Sequence, residues 1–223
     1  MILRKASYKA IKYACLNFHY SKRIPVVRSA YSVFNNNKNW CGCITFGGGA
    51  GTSLGKPYNL VQGEFLELTR MALNGKQDST SKAMAIAIRL IKKNNPTVKL
   101  LISYADIGQG HYGTIYQATN WIYSGSSKSS GIEVFYKNKW THDRVQSNIS
   151  KNMYSKLLKR KKSGKRKYLY PLNNKLKEQI SKLSKSYPKK ICDSGVKRST
   201  TSFQDVGGGA IPTESLQLER QYA

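Results

Sequence analysis

The chain has 223 residues and is 39% hydrophobic, which fits one globular domain with a peripheral extension. Its 38 Lys and Arg residues against 11 Asp and Glu residues give a formal net charge of +27, whereas solubility alone requires a magnitude of only about 2–8. A polyanionic partner is therefore predicted. Nucleic acid is favoured over an anionic membrane surface, because the sequence contains no run of about 18 apolar residues and no apolar signal-peptide core at its N-terminus.

The basic residues are concentrated at the two ends of the chain. No Asp or Glu occurs before Glu64, and residues 151–198 contain 17 Lys or Arg residues against only Glu178 and Asp193. The cysteines show no paired CxxC spacing, so free thiols in a reducing cytoplasm are predicted rather than a metal site or a disulfide. Alternation along a strand would turn two of them, Cys41 and Cys43, toward the same face; the others are Cys15 and Cys192.

The first half of the chain predicts one helix and three strands. Apolar residues recur at helical intervals over 6–18, and this helix delivers His19 and Tyr20 at its end. Residues 29–34 and 40–46 predict a hairpin joined by the turn-rich segment 35–39. Residues 64–73 predict a third strand, in which alternation groups Arg70 with Leu66 and Leu68.

The middle of the chain predicts a helix, a buried strand and a polar elbow. Ser79 or Thr80 can cap a helix over 81–93, which Pro96 terminates. The apolar run from Val98 leads to polar residues that end with Asp106, at a sheet edge where ligands commonly dock. Glycines surround His111, and residues 114–121 predict a second helix that is followed by strands at 122–123 and 131–140.

The last third has lower apolar density and predicts a separate basic part. Residues 156–167 form a charge run, 168–172 a short strand and 174–183 a basic helix. The predicted organisation is a catalytic core over 1–145, a basic extension that contacts DNA over 146–198, and a disordered tail over 199–223.

This order of elements resembles the fold of the GNAT superfamily of N-acetyltransferases, an α/β (α+β) fold with a mixed central sheet flanked by helices. In that superfamily the first turn of the helix after the central strand holds a pyrophosphate, which would make Thr80, Ser81 and Lys82 cofactor-binding residues. Residues 74–81 replace the superfamily's glycine-rich loop. The donor therefore stays open between acetyl-coenzyme A and another acyl or aminoacyl donor.

Four blocks together are similar to the phage Mom family of DNA adenine-modifying proteins. They are LNFHYSKRIP at 16–25, GEFLELTRMAL at 63–73, TSKAMAIAIRLIKK at 80–93 and SYADIGQGHYGTIYQATNWIYSG at 103–125. The resemblance covers about residues 6–145. It implies an enzyme of the host cytoplasm that carbamoylmethylates the exocyclic amine of adenine in double-stranded phage DNA and so blocks host restriction. The family's functional residues correspond to His19, Tyr20, Arg70, Asp106 and Tyr116.

Each of these residues also has a structural interpretation. His19 could bond a carbonyl at a helix end, and Arg70 could pair with Glu64 or Glu67. Asp106 could cap a loop, and Tyr116 could pack in the core. The functional hypothesis gives Asp106 the task of accepting a hydrogen bond from the poorly nucleophilic adenine amine, and Tyr116 that of an acid.

Modification of a base in a duplex requires its extrusion, and phosphate contacts would offset that cost. The candidate contacts are Lys22, Arg23 and Arg28 near the pocket, and Lys161, Lys162, Lys165, Arg166 and Lys167 farther out. Iron near His19 is a further candidate, without a ligand cluster in the sequence. The oligomeric state is open, with a homodimer as one arrangement. The competing hypotheses are a non-catalytic DNA-binding protein on an acyltransferase scaffold and a general N-acetyltransferase.

Overall fold

The computed structural model describes residues 1–49, 51–127 and 131–189, so the predicted tail over 199–223 and Cys192 lie outside the described residues. In chain order the elements are β1 (Ile2–Lys5), α1 (Tyr8–Asn17), β2 (Ser29–Phe34), β3 (Trp40–Gly47), β4 (Phe65–Leu73), α2 (Thr80–Asn94), β5 (Leu100–Asp106), α3 (Thr114–Gln117), β6 (Ile122–Ser126), β7 (Ile132–Tyr136), β8 (Lys139–His142), α4 (Lys151–Ser155), β9 (Lys159–Lys161), β10 (Lys165–Pro171) and α5 (Asn174–Ser181).

The central sheet has seven strands in the order β1-β2-β3-β4-β5-β10-β6. Only β4 and β5 pair in parallel, and the other neighbours are antiparallel. Apolar side chains of α1 and α2 pack in separate clusters, so the two helices cover opposite faces of this sheet. The predicted mixed sheet flanked by helices is confirmed. A second sheet has three strands in the order β8-β7-β9.

The two long helices begin where the sequence predicts. Ser7 Oγ accepts a hydrogen bond from the Ala10 amide at the start of α1, and Ser79 Oγ accepts one from the Lys82 amide at the start of α2. Each helix then buries residues at helical spacing against the sheet. In α1 the chain leaves the helix at Phe18, and the following turn carries His19.

The parallel strands β4 and β5 separate after a short ladder. They pair only from Phe65 with Leu100 to Glu67 with Ile102. Beyond that point β4 continues beside β3, and β5 continues beside β10. Ser103 Oγ lies 3.2 Å from the Leu68 carbonyl oxygen and supplies the hydrogen bond that the ladder no longer offers. The separation opens a gap in the middle of the sheet.

A β-bulge at Thr69 reverses the facing of the second half of β4. Thr45 of β3 pairs with Arg70, but the next residue, Phe46, pairs with Leu68. Leu68 therefore packs in the cluster that contains α2, whereas Ala72 packs in the cluster that contains α1. The prediction that Arg70 shares a face with Leu66 and Leu68 was wrong, because alternation breaks at the extra residue.

A second bulge lies in β3 and corrects the prediction for the cysteines. Val33 pairs with Gly42, and Phe34 pairs with Trp40, which leaves Cys41 as the extra residue. Cys41 consequently packs in the α2 cluster and Cys43 in the α1 cluster, on opposite faces. The described cysteines Cys15, Cys41 and Cys43 are buried free thiols.

The boundary predicted at residue 145 divides the central sheet. β10, from the presumed peripheral extension, lies between β5 and β6, and its Tyr168 and Leu169 are fully buried. The short strand predicted at 168–172 corresponds to the second part of β10, whereas its first three residues, Lys165, Arg166 and Lys167, were assigned to the charge run. Residues 131–140, predicted as one strand, form the hairpin of β7 and β8, because Lys137 and Asn138 both adopt positive φ, at 50° and 59°.

The helix predicted over 114–121 is limited to the single turn of α3. Asn120 adopts a left-handed conformation with φ of 60°, and the Trp121 amide donates to the Tyr116 carbonyl, which ends the helix. Within the described ranges, no helix combines the length and apolar character that a membrane crossing needs.

Candidate active site

A cavity of about 500 Å³ lies in the gap between β4 and β5. The end of α1, the separated parts of both strands, the loop around His111, α3 and the start of β10 all contribute to it. Its lining contains all five residues expected to be functional: His19, Tyr20, Arg70, Asp106 and Tyr116. The fold thus brings together residues that are up to 97 positions apart, from 19 to 116 in the chain.

His19 is a neutral hydrogen-bonding group in this cavity. Its Nδ1 accepts a hydrogen bond from the Ser21 amide at 3.1 Å and lies 2.9 Å from Ser21 Oγ. Because a backbone amide can only donate, Nδ1 carries no proton, and the neutral ring holds its proton on Nε2. Burial, and then electrostatic interactions with Arg70, His111 and Lys22, lower the pKa of His19 to about 4. The ring is therefore uncharged at neutral pH and offers an Nε2–H donor.

Tyr20 provides an aromatic surface at the cavity. Its ring stacks on His19 with centroids 4.4 Å apart and meets the edge of the His111 ring at 5.6 Å. The side chain is half exposed, so part of the ring can still contact a planar ligand. Burial and the Asp106 carboxylate raise the pKa of Tyr20.

Arg70 faces the same side of the sheet as α1 because of the bulge at Thr69. Its Nη1 donates to the Thr69 carbonyl at 2.6 Å, and its buried Nε has no hydrogen-bond partner among the described residues. The ion pair with Glu64 considered from the sequence does not form, because Glu64 pairs with Lys99. An unpartnered buried guanidinium N–H is available to an anionic or carbonyl group of a ligand.

Glu67 is a cavity residue that the sequence analysis treated only as a possible ion-pair partner. It lies at the last position of β4 that pairs with β5, lines the cavity and contributes to the raised pKa values of Tyr104 and Tyr116. The cavity therefore contains two carboxylates, Glu67 and Asp106. The alternation of Glu67 with buried leucines was the signal that could have identified it.

Asp106 combines the structural and the functional interpretation in one side chain. Its Oδ1 accepts hydrogen bonds from the Gly108 amide at 2.9 Å and from Ser163 Oγ at 3.2 Å. Oδ2 accepts none from the described residues. One oxygen thus caps the loop after β5, and the other is available to a ligand in the cavity.

Tyr116 reaches the cavity from α3. Its hydroxyl lies 2.8 Å from Ser103 Oγ, and its ring packs against Trp121 and Tyr168 at centroid distances of 5.2 and 4.8 Å. Burial raises the pKa of Tyr116 to about 12, against the smaller opposing effect of the Ser103 hydrogen bond. The phenol is therefore protonated at neutral pH and suited to donate a proton.

The residues expected to bind a cofactor lie away from the cavity lining. Thr80 Oγ1 accepts a hydrogen bond from Gln77 Nε2, and Ser79 Oγ occupies the amide of Lys82. The preceding loop is tied to the β2–β3 turn, where the Asp78 carboxylate accepts from the Asn36 amide. These contacts occupy the Lys82 amide and the Thr80 hydroxyl, and the binding of a pyrophosphate at this turn stays a prediction.

The residues expected to bind DNA occupy different environments. Lys161 is exposed at the end of β9, Lys165 lines the cavity, and Lys22 donates from Nζ to the Asn17 carbonyl. Arg166 donates to the His111 carbonyl and lies over the Tyr112 ring at 4.5 Å. Arg23 is exposed and Lys162 is half-buried. Arg28 borders a second cavity of about 410 Å³ together with Lys5. Lys167 packs over the Tyr58 ring at 4.9 Å, and burial lowers its pKa.

The part of the chain that the structure describes contains no group of three His, Cys, Asp or Glu side chains that could hold a metal ion. His19 contributes to no such group. The ring nitrogen that is free of hydrogen bonds, Nε2, carries the proton in the neutral tautomer described above.

Comparison with known proteins identifies relatives of this chain. The model of the Mom protein family matches residues 1–189. The methylcarbamoylase Mom of Escherichia phage Mu is 29% identical over 140 residues, which are 60% of this chain and 56% of that protein. The chain thus spans about half the length of this curated relative.

Solved structures with a similar arrangement are acetyltransferases of very low sequence identity. A GNAT-family acetyltransferase from Bacillus anthracis is 11% identical, with 77% of this chain and 95% of that chain covered and a TM-score of 0.44. A putative phosphinothricin N-acetyltransferase is 12% identical, with 78% and 99% covered and a TM-score of 0.45.

Proposed function

Because the chain belongs to the Mom protein family, we propose that it modifies adenine in double-stranded phage DNA on the exocyclic amine, giving a carbamoylmethylated base that host restriction enzymes do not cleave. The observation that carries this proposal is the joint presence of His19, Tyr20, Arg70, Asp106 and Tyr116 in one cavity. Binding to a phosphate backbone would need none of these residues at a buried gap in the sheet. The phage Mu relative is named a methylcarbamoylase.

The first chemical task is to make the adenine amine nucleophilic. Its lone pair is delocalised into the purine ring, so an acceptor must draw on an N–H as the new bond forms. Asp106 Oδ2 is the acceptor in this proposal, because Oδ1 is already occupied by Gly108 and Ser163. As N6 bonds to the transferred carbon, one N6 proton passes to Asp106, directly or through water.

The second task is to protonate the leaving group of the donor. The bond between the transferred carbon and the leaving group breaks, and the leaving group takes the Tyr116 proton. Ser103 then turns its single hydroxyl proton from the Leu68 carbonyl to the phenolate. Asp106 releases the proton that it took to solvent, and solvent reprotonates Tyr116. A pKa of about 12 keeps Tyr116 in its acid form until this step.

The remaining cavity groups bind and orient the reactants. Tyr20 stacks on the extruded purine, since its ring is half exposed beside His19. The neutral His19 donates from Nε2 to a ring nitrogen of the base. Arg70, with its unpartnered Nε, binds a carbonyl or anionic group of the donor.

The predicted donors are acetyl-coenzyme A and another acyl or aminoacyl donor. A direct acyl transfer from them would leave a carbonyl carbon on N6, and acetyl-coenzyme A also lacks the carboxamide nitrogen. For the carbamoylmethylated product, the donor must therefore present the CH2–CO–NH2 group with the leaving group on its methylene carbon, which is the carbon that N6 attacks. Thr80, Ser81 and Lys82 lie away from the cavity lining, so no step is derived from coenzyme A as the carrier. Lys165 at the cavity and Lys161 beyond it are the cations that hold the DNA around the extruded base. We place the reaction in the host cytoplasm, and a homodimer stays a prediction.

Mass spectrometry of nucleosides tests the proposal. DNA from cells that express the chain should contain an adenosine whose added mass corresponds to a carbamoylmethyl group, and DNA from cells that express Asp106→Asn should not. Unmodified adenine, with the protein folded and bound to DNA, would support a non-catalytic binding protein instead. Acetylated protein or small amines without modified DNA would support a general N-acetyltransferase.

A further inference from the structure

The small sheet of β7, β8 and β9 has one face that carries aromatic and aliphatic side chains together with Arg160. Phe135 pairs with Trp140 across β7 and β8, and it lies opposite Leu158, whose carbonyl accepts from the Phe135 amide. Directly opposite residues project to the same face of a sheet. Glu133 and Arg160 are paired two positions along, on that same face. The other face contains Val134, which is fully buried.

This face is open to a ligand although its side chains are large and apolar. Phe135 is 37% exposed and Leu158 is 68% exposed. Phe135 meets the edge of the Trp140 ring at 5.5 Å, and the Arg160 guanidinium covers that ring at 4.2 Å while it pairs with Glu133. The aromatic side chains are thus held in position with part of their surface uncovered.

The charge of the segment defines the kind of ligand. Residues 131–162 contain nine Lys or Arg residues against two acids, Glu133 and Asp143, and Glu133 is already paired with Arg160. Cations alone suit any polyanion, including a duplex. Exposed aromatic and aliphatic side chains among them suit a polyanion that presents apolar flat surfaces, which unpaired nucleobases do and stacked base pairs do not.

We propose that the outer face of the β7–β8–β9 sheet is a binding site for single-stranded nucleic acid. Unpaired bases stack on Phe135 and contact Leu158, while lysines of the basic segment 131–162 bind the phosphates. The site does not depend on the reaction in the β4–β5 cavity, because none of the residues that form this face lines that cavity.

The test compares oligonucleotides of equal length and charge in fluorescence anisotropy at physiological salt. The full chain should bind a labelled thymidine oligomer at least about fivefold more tightly than an abasic oligomer, since stacking of one base on an aromatic ring contributes about that factor. Phe135→Leu, which keeps an apolar side chain but removes the aromatic ring, should abolish the preference. Leu158→Ala should reduce it.

Val61→Ala is the matched control, because Val61 is also 68% exposed but lies before β4 in the central body. It should retain the full preference. Equal affinity for the thymidine and abasic oligomers would overturn the proposal, as would an equal loss in Val61→Ala or an equal effect of Phe135→Leu on duplex binding. A uridine oligomer of the same length, measured in the same assay, distinguishes DNA from RNA as the source of the unpaired bases. Equal affinity for the thymidine and uridine oligomers indicates recognition of bases alone, and tighter binding of the uridine oligomer indicates RNA.

This test also separates the site from the proposed function. Binding is measured without donor or modification, so a chain that leaves adenine unmodified can still show the thymidine preference. Leu158→Ala changes an exposed side chain, so it keeps the proposal testable if Phe135→Leu disturbs the packing against Trp140. Intact DNA modification in Leu158→Ala is expected.

Discussion

The two carboxylate oxygens of Asp106 have different proposed roles, one in capping the loop after β5 and one in accepting from the adenine amine. The substitution Asp106→Asn tests the second role separately. Asparagine at 106 can still accept from the Gly108 amide through Oδ1, so the loop after β5 should keep its conformation. It lacks the negative charge and the second acceptor that the adenine amine requires. We expect Asp106→Asn to reduce modification at least about 100-fold, the usual size of a general-base contribution.

The binding of DNA should not change in the same variant, because no positive charge is removed. An electrophoretic shift titration provides that readout. A variant that modifies DNA normally would refute the role of Asp106, and a variant that no longer binds DNA would indicate that the substitution disturbs the surface instead.

Tyr116 can be tested against a tyrosine in a closely matched environment. Tyr116→Phe keeps the ring beside Tyr168 and removes the proposed acid, so modification should fall about 100-fold or more. Tyr123 also packs on Tyr168, at 5.3 Å, and its hydroxyl lies 3.0 Å from Ser126 Oγ, but it does not line the cavity. Tyr123→Phe should therefore retain activity. Single-turnover modification rates of both variants decide between a catalytic and a packing role.

His19 predicts a pH dependence of stability. Its pKa falls from 6.5 to about 4 in the folded chain, so the unfolded chain binds more protons between these values. Stability contributed by this residue is present above about pH 6.5 and is lost as the pH falls toward 4. His19→Gln should show a smaller decrease of Tm between pH 7 and pH 4.5 than the parent chain. An identical pH profile of Tm would contradict the lowered pKa.

At the scale of elements, periodicity predicted the order of helices and strands well because each long element has one apolar face. The limits of α1, β2 and β4 agree with the predicted segments within a few residues. The bulge at Thr69 was not predictable in this way, because no local turn residue marks it, whereas Gly42 next to Cys41 was an unused signal for the bulge in β3. The facing of Arg70, and hence its place in the cavity, depends on such a bulge.

Elements with mixed composition were the other limit of prediction. The start of β10 reads as a charge run, although Tyr168 and Leu169 pair it with both β5 and β6. The place of β10 inside the central sheet follows from its pairing with β5 and β6, and its local sequence does not indicate it. The cavity residues from the four motif blocks were predictable through the family resemblance, whereas Lys165 and Ser163 come from a segment outside those blocks and enter the site through β10.

The bulge in β3 can be tested at Gly42. Its φ is +116°, and a Cβ there would lie 2.1 Å from the Ala72 carbonyl oxygen. Gly42→Ala should therefore destabilise the chain by more than the about 1–3 kcal/mol of a strained backbone, because the β4 backbone must also move. Gly63 is the control, since its φ is +101° but a Cβ there would meet no atom within 4 Å beyond its chain neighbours.

Both variants carry the strain of a positive φ, and only Gly42→Ala adds the contact with β4. Thermal unfolding should show a Tm for Gly42→Ala that is several degrees below that of Gly63→Ala. Equal Tm values would mean that the sheet accommodates a side chain at position 42 and that the bulge is not required for pairing with β4.

At the scale of the whole molecule, the net charge of +27 comes from basic residues near both ends of the chain. Total charge alone therefore does not identify the DNA-binding surface. The basic run over 161–167 divides in the structure: Lys161 is exposed, whereas Lys167 packs against Tyr58 and Arg166 holds the loop at His111. Arg166 and Lys167, both predicted as phosphate contacts, are therefore engaged with the protein itself.

A pair of double variants with equal charge change tests where duplex DNA binds. The first double variant, Lys161→Ala with Lys162→Ala, removes two cations just before β10, the strand that borders the cavity. The second, Lys92→Ala with Lys93→Ala, removes two exposed cations at the end of α2. If the first pair contacts phosphates, the slope of log affinity against log salt should decrease by about 2 in that variant only. Nonspecific attraction depends on total charge. Equal slopes in the two double variants would therefore show that DNA binding depends only on the net charge and that DNA has no fixed position beside the cavity.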